Sequence, residues 1–493
     1  MASGPKLTLH SALVMSMLVA FCLSTKAADG TEDSTLRLND PAQPVSGSQT
    51  HGDLKFEYTH YNVPLAGQPK LNQSSMIEAD LKTEYKTELT RSRLDFTAGK
   101  FVDLNNSFFG IQELYTSVQF LGDHVTAALG RKIEFWSEVD QDWQLGLWEP
   151  KSNLIDSLRP VNQGLTGVFA RAESGNFQLL AYGSTLFIPT IGPNVSEKDG
   201  ALVSDSRWYT TPTGSGDVLN KNTRFVYSLN VPELRKLVSK PGAGVRLRYG
   251  GTQPGFWASA NYARKPVNSL LIKYDYNLYL RATGAQAEID VAPVVAYHQL
   301  YGADVGWLFE KGMLSASYLR DDPQTDDPIN ELNSDGQPKT DWIQQRPGHL
   351  KIAAAHAESS VRLPWILDPV GLNLDYIRAT EESTRDYDSA GSARGSLIPY
   401  RMNFTNAASL RTNVSTVLFS HPLMTSFRYL REFDQKGSLW TLIAQYAPQK
   451  DWLLHMGVDI LGVDDSSAEN ADPHFLNQFR ANDRAFGGLS YVF

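Results

Sequence analysis

Met76-Ile77-Glu78-Ala79-Asp80-Leu81-Lys82-Thr83-Glu84-Tyr85-Lys86 alternates without a break. Ile77, Ala79, Leu81, Thr83 and Tyr85 share one face, and Glu78, Asp80, Lys82, Glu84 and Lys86 share the other. A period of two is a β-strand with one apolar and one charged side. The pattern recurs outward from this stretch. Leu54, Phe56 and Tyr58 oppose Lys55 and Glu57; Leu94 and Phe96 oppose Arg93 and Asp95; Leu114, Val118 and Phe120 oppose Glu113, Ser117 and Gln119. Farther along the chain, Val245, Leu247 and Tyr249 oppose Arg246 and Arg248, and Trp452, Leu454, Met456, Val458 and Ile460 oppose His455 and Asp459. One such strand also suits a soluble sandwich, but repetition with aromatics near strand ends is the pattern of a membrane-spanning barrel.

The connections support the same reading. Tight turns at 121–123, 173–176, 310–312 and 448–451 alternate with long polar segments at 62–74, 134–162, 187–241, 265–295, 321–347, 381–400 and 463–482. Short turns on one rim and long loops on the other are typical of outer-membrane barrels, and an open sheet edge cannot face hydrocarbon. Eighteen strands emerge, from 53–61 to 482–493, with 408–420 and 426–434 among them. Low-contrast stretches allow 16–20, and Arg224–Leu229 is a further strand-like run within 187–241. The fold class is an all-β, antiparallel transmembrane barrel. Eighteen strands leave an aqueous lumen.

Composition agrees. The 493 residues carry 22 Phe, 21 Tyr and 10 Trp, a formal charge of −9 and one cysteine. Mean hydropathy is −0.31. Aromatic richness argues against disorder, a single cysteine against a disulfide scaffold, and the absence of basic excess against nucleic-acid binding. Lys6, the apolar run Ala12–Leu23 and the small residues Ala27 and Ala28 form a secretory signal peptide over 1–27. Its removal takes away Lys6 and Lys26 but no acid, moving the charge to −11. A flexible periplasmic segment, 28–50, then precedes the barrel at 51–493. The predicted location is the outer membrane of a Gram-negative bacterium, among its lipids and lipopolysaccharide.

The inferred lumen face bears both signs: Lys55, Lys82, Lys86, Arg91, Arg93, Lys132, Arg246, Arg248 and Arg484 against Glu57, Glu78, Asp80, Glu84, Asp95, Glu113, Glu134 and Asp459. Such groups either set selectivity through their field or pair across strands in a wet interior. Segment 134–162 carries Trp136, Trp143 and Trp148 beside Glu138, Asp140, Asp142, Glu149 and Asp156. Folded inward, it would narrow the pore, and its acids would favour cations against nearby Arg131 and Lys132. Aromatics beside carboxylates also suit saccharides. The alternative is an extracellular lid whose tryptophans pack on one another.

Gly130–Glu138 (GRKIEFWSE), Tyr301–Tyr318 and the closing NDRAFGGLSYVF together resemble alginate-export and related porin-like barrels. The closing strand also resembles the C-terminal strand of outer-membrane proteins, which implies recognition of Phe493 by the barrel-assembly machinery. The alginate exporter's constriction is arginine-rich. Arg131 and Lys132 match it, whereas Glu134, Glu138, Asp140 and Asp142 depart from it. The resemblance implies a porin-like channel for passive passage of small polar solutes or saccharides, without cofactor, metal or catalytic residue. A polysaccharide-export barrel is the alternative. An outer-membrane hydrolase or an exported β-sandwich binding protein is less favoured, because no HExxH, nucleophile elbow or phosphate loop occurs. Asp321–Asp327 matches no calcium-loop spacing and reads as solvated surface.

Overall fold

A computed structural model describes residues 47–65, 68–104, 106–121, 124–218, 220–251, 253–281, 284–324, 342–344, 347–363, 369–381, 401–464 and 474–493. The expected signal peptide and nearly all of the 28–50 segment lie outside the described residues. Eighteen strands form one closed wall. They are β1 (Gly47–Tyr61), β2 (Gln73–Lys86), β3 (Thr90–Phe101), β4 (Asn106–Phe120), β5 (Val125–Lys132) and β6 (Leu165–Ser174). Next come β7 (Phe177–Ser184), β8 (Gly242–Tyr249), β9 (Gly255–Pro266), β10 (Tyr297–Phe309), β11 (Gly312–Gln324) and β12 (Leu350–Val361). The circuit ends with β13 (Val370–Glu381), β14 (Asn406–Leu418), β15 (His421–Glu432), β16 (Gly437–Gln449), β17 (Trp452–Val463) and β18 (Arg484–Val492). Neighbours pair antiparallel, and β1 pairs with both β2 and β18. That double pairing closes the barrel. Phe493 completes the seam by exchanging backbone hydrogen bonds of 2.9 Å with Gly52.

The faces fall as the alternation requires. Leu54, Phe56, Ile77, Tyr85, Leu114, Leu247, Leu454 and Met456 are exposed on the outside, while Glu78, Asp95, Glu113, Arg246 and Asp459 are buried inside. An apolar exterior around a charged interior is stable only where hydrocarbon covers the outside. On one rim the connections are short, as at 175–176, 310–311, 419–420 and 450–451; the other rim carries 133–164, 185–241 and 267–296.

Among the departures from the sequence reading, three have a clear physical reason. β1 begins at Gly47, so residues 47–50 belong to the wall. β15 begins at His421 rather than 426, because Phe419 and Ser420 alone make the turn, at φ 51° and 70°. Positive φ at both central positions matches the twist of a two-residue hairpin. No Gly, Asn or Asp marks it. Segment 265–295, expected to be a polar loop, holds the hairpin Leu271–Arg281 with Gly284–Val294. This hairpin joins Ser215–Val218, Lys221–Leu229 and Trp342–Gln344 in a separate five-stranded sheet, in which Lys221–Leu229 runs parallel to Gly284–Val294. The strand-like run 224–229 is therefore a strand, but outside the wall.

Candidate functional site

The chain leaves the wall after Lys132. Just before, Gly130 has φ 133°, and a β-carbon there would collide with the Leu114 carbonyl oxygen of β4. Only glycine suits that position. Segment 133–164 then crosses the interior. Asn261 of β9 donates to the Trp136 carbonyl at 2.5 Å, and Ser137 Oγ donates to Asp304 of β10 at 3.1 Å. Asp142, ending the short helix Glu138–Asp142, lies 3.5 Å from His356 Nδ1 of β12. Farther along, Arg159 grips Asp459 of β17 through both terminal nitrogens, at 3.0 and 2.7 Å. Arg484 of β18 joins Asp459 (2.8 Å) to Asp156 (2.5 Å). Contacts with β9–β12 on one side and β17–β18 on another place the segment inside the barrel.

Its tryptophans form the core of this insertion. Trp136 stacks on Trp148 with centroids 5.3 Å apart, and Trp143 meets Phe404 edge-on at 6.4 Å. All three are under 8% exposed. Apolar wall residues, among them Phe169, Leu180, Leu300 and Ile352, complete the cluster. A sugar needs an exposed ring face, and these rings are covered.

The candidate charges divide into four groups. Arg91, Lys132 and Glu134 line a cavity of about 180 Å³ with Lys86, Tyr115 and Arg171. Glu134 there holds Lys132 and, at 2.7 Å, Arg171. Asp95 lies on a larger cavity of about 370 Å³, between the inserted segment at Ile133, Leu154 and Ile155 and the β2–β4 wall at Glu78, Asp80, Lys82 and Thr97. Arg93 pairs with Glu113 at 2.7 Å, and Lys82 lies 3.7 Å from Asp95. Arg246 and Arg248 sit beneath the Phe135 ring, with Arg246 donating to Gln178 at 2.6 Å.

Glu138, Asp140 and Asp142 are not beside either cavity. Asp140 accepts hydrogen bonds from the Leu147 (2.9 Å) and Trp148 (3.3 Å) amides and so braces the segment's own bend. Burial pushes the Glu138 carboxyl up to about 8, with Asp142 and Asp304 adding to the rise and Arg248 and His356 opposing it. Burial likewise raises Asp142 to about 6 and lowers Lys151 to about 7. Glu138 therefore supplies less negative field at neutral pH than a carboxylate would.

Among the described residues, Asp142, His356 and Asp375 bring their donor atoms within 4.8 Å of one another. His356 Nδ1 is engaged by Asp375 at 2.6 Å, so the cluster works as a hydrogen-bonded dock for the helix. Asp321, read from sequence as solvated surface, is buried against His298 (2.9 Å) and Arg401. Residues 325–327 lie outside the described set.

No family model and no curated protein matches the chain. Solved structures do. OccAB4 of Acinetobacter baumannii is 10% identical over 92% of this chain and 100% of its own, with a TM-score of 0.44. OccK11 (OpdR) of Pseudomonas aeruginosa is 10% identical over 90% and 96%, at 0.43. OpdQ of the same organism is 10% identical over 91% and 99%, at 0.42. What this chain does is decided by its own lumen.

Sequence reading missed Arg171, Asp304, His356 and Asp375 as partners of the segment. Asp304 and Asp375 alternate with outward Val305 and Tyr376, so period two could have placed them inside. No periodicity marks Arg159, whose contact with Asp459 spans 300 positions.

Proposed function

We propose that the chain is an outer-membrane channel for passive passage of small polar solutes. The carrying observation is the 370 Å³ cavity between the inserted segment and the β2–β4 wall, inside a closed eighteen-strand barrel. Glu78, Asp80, Lys82 and Asp95 line it, offering both signs to a hydrated solute. Charged rings at a narrow passage act through their local field. Cleavage of the 1–27 signal peptide and assembly guided by Phe493 belong to this reading.

Segment 133–164 is the constriction in this proposal, with Arg91, Lys132, Glu134 and Asp95 facing the solute. Glu138 and Asp142 act away from these cavities, towards β10 and β12, while Asp140 braces the segment's own bend. The test is single-channel conductance in planar bilayers with ions and sugars. Deleting residues 144–148 should raise conductance, and Lys82→Gln should shift ion preference. A parent barrel that folds but does not conduct would overturn the channel. Unchanged conductance after shortening would remove the segment from the passage.

A further inference from the structure

The dock of the inserted helix holds more donor atoms than one hydrogen bond uses. His356 of β12 and Asp375 of β13 face each other directly across the strand pair, and Ser315 of β11 stands opposite His356 on the other side. All three point inward, because Leu314, Ala355, Leu374 and Tyr376 beside them are exposed on the outside. Asp142 meets this row from the lumen. Its carboxylate lies 3.5 Å from His356 Nδ1, and that of Asp375 lies 2.6 Å from the same nitrogen. The three donor atoms are within 4.8 Å of one another.

One imidazole nitrogen and two carboxylate oxygens at these spacings fit a single small divalent ion. Donors held at about 2.0–2.1 Å in tetrahedral geometry stand roughly 3.3 Å apart. Asp142 is already near that separation from His356, and Asp375 needs to withdraw by roughly 0.7 Å. Two further groups suit an ion better than a proton. Glu358 approaches His356 Nε2 to 3.8 Å, the side from which a carboxylate orients a metal-bound histidine. Ser315 is 9% exposed, and among the described residues its Oγ has no hydrogen-bond partner. One cross-strand step from His356, it is placed to bond a water that completes the ion's fourth position. Arg411 and Arg428, paired across β14 and β15, act on Asp142 and Asp375 and oppose a cation, while Glu138 and Glu358 favour it. A hard ion held by charge alone therefore gains little, whereas a borderline ion also gains the bond to imidazole.

We propose that Asp142, His356 and Asp375 form a site for a divalent transition-metal ion of the zinc class, which ties the inserted segment to the β12–β13 wall. The ion takes the place of the proton between His356 and Asp375, and that proton leaves to solvent. A hydrogen-bonded dock becomes a coordinated one. The site concerns the anchorage of the segment and holds whatever solute the barrel passes.

Calorimetric titration of the chelator-treated, detergent-solubilised full chain with zinc provides the test. The expected result is one ion per barrel at a site abolished by His356→Gln and weakened about tenfold or more by Asp142→Asn, with electrophoretic heat-modifiability reporting a folded barrel. His455→Gln, at another histidine–carboxylate pair, should bind as the parent does. Should His356→Gln misfold, Glu358→Gln should lower affinity about tenfold by acting through the imidazole. A spin label at Gln141→Cys should lose mobility on zinc addition and regain it with chelator. Parent affinity in the folded His356→Gln or Glu358→Gln variant overturns the site. So does calcium binding as tight as zinc binding, which would show a carboxylate cluster only. Zinc affinity unchanged by Asp142→Asn, or a label indifferent to zinc, overturns the tie to the segment.

Discussion

The inserted segment is held at two ends by opposite chemistry. Its far end is an ion-pair clamp: Asp156, Arg159, Asp459 and Arg484 satisfy one another, and Thr441 adds a 2.9 Å hydrogen bond to Asp459. Arg484 and Arg159 hold the Asp156 carboxyl below its ordinary value despite its burial. The near end is a short helix whose Glu138 remains largely protonated at neutral pH. Charges buried together can stay charged, whereas a poorly matched acid gives up its charge. One end is therefore fixed over a wide pH range and the other is conditional.

Breaking the clamp should have the largest effect. Asp459→Ala leaves Arg159 and Arg484 sharing Asp156 in a buried site, and losing one partner of such a pair costs about 3–5 kcal/mol. Thermal unfolding should start lower, and bilayer recordings should show a noisier, larger conductance. Parent-like melting and recordings would mean that the clamp does not hold the segment.

The near end should respond less. Ser137→Ala removes one of two hydroxyl donors to Asp304 and leaves Ser259 at 2.8 Å. A buried acceptor deprived of one donor costs about 1–3 kcal/mol, and Ser259 keeps the value here near the lower figure. A melting shift matching that of Asp459→Ala would erase the difference between the ends.

The wall was legible in the sequence and its filling was not, for a physical reason. Lipid outside and water inside impose period two on every strand, so Leu81 and Lys82 disclose their sides locally. Inside the barrel no medium imposes a period. Trp136 finds Trp148 and Asp156 finds Arg484 through tertiary contact alone. The Phe419–Ser420 turn was missed because it lacks the residues that usually signal positive φ. Leu271–Arg281 does alternate, but lying among polar segments it reads as a loop until Gly284–Val294 pairs with it.

The smallest effect at neutral pH is the sharpest test of the comparison. Glu138 has a folded value of about 8 against an ordinary 4.5, raised chiefly by burial. A raised acid stabilises docking fully below its unfolded value and withdraws that support as pH climbs through the folded one. Docking of the helix should thus weaken progressively as pH climbs from about 4.5 to about 8, the last of that loss falling above pH 7. Asp156 is depressed, so its support is present above its ordinary 3.8 and is lost only as pH falls below that. The clamp should hold across the same window. Spin labels at Gln141→Cys and Ser157→Cys report the two ends separately. Mobility should rise from pH 7 to 9 at the first position and stay constant at the second. Glu138→Gln should be nearly silent at pH 7 and should flatten the alkaline rise at Gln141→Cys. If both labels loosen together, or the rise survives Glu138→Gln, the two ends are one unit and Glu138 is not what makes the near end conditional.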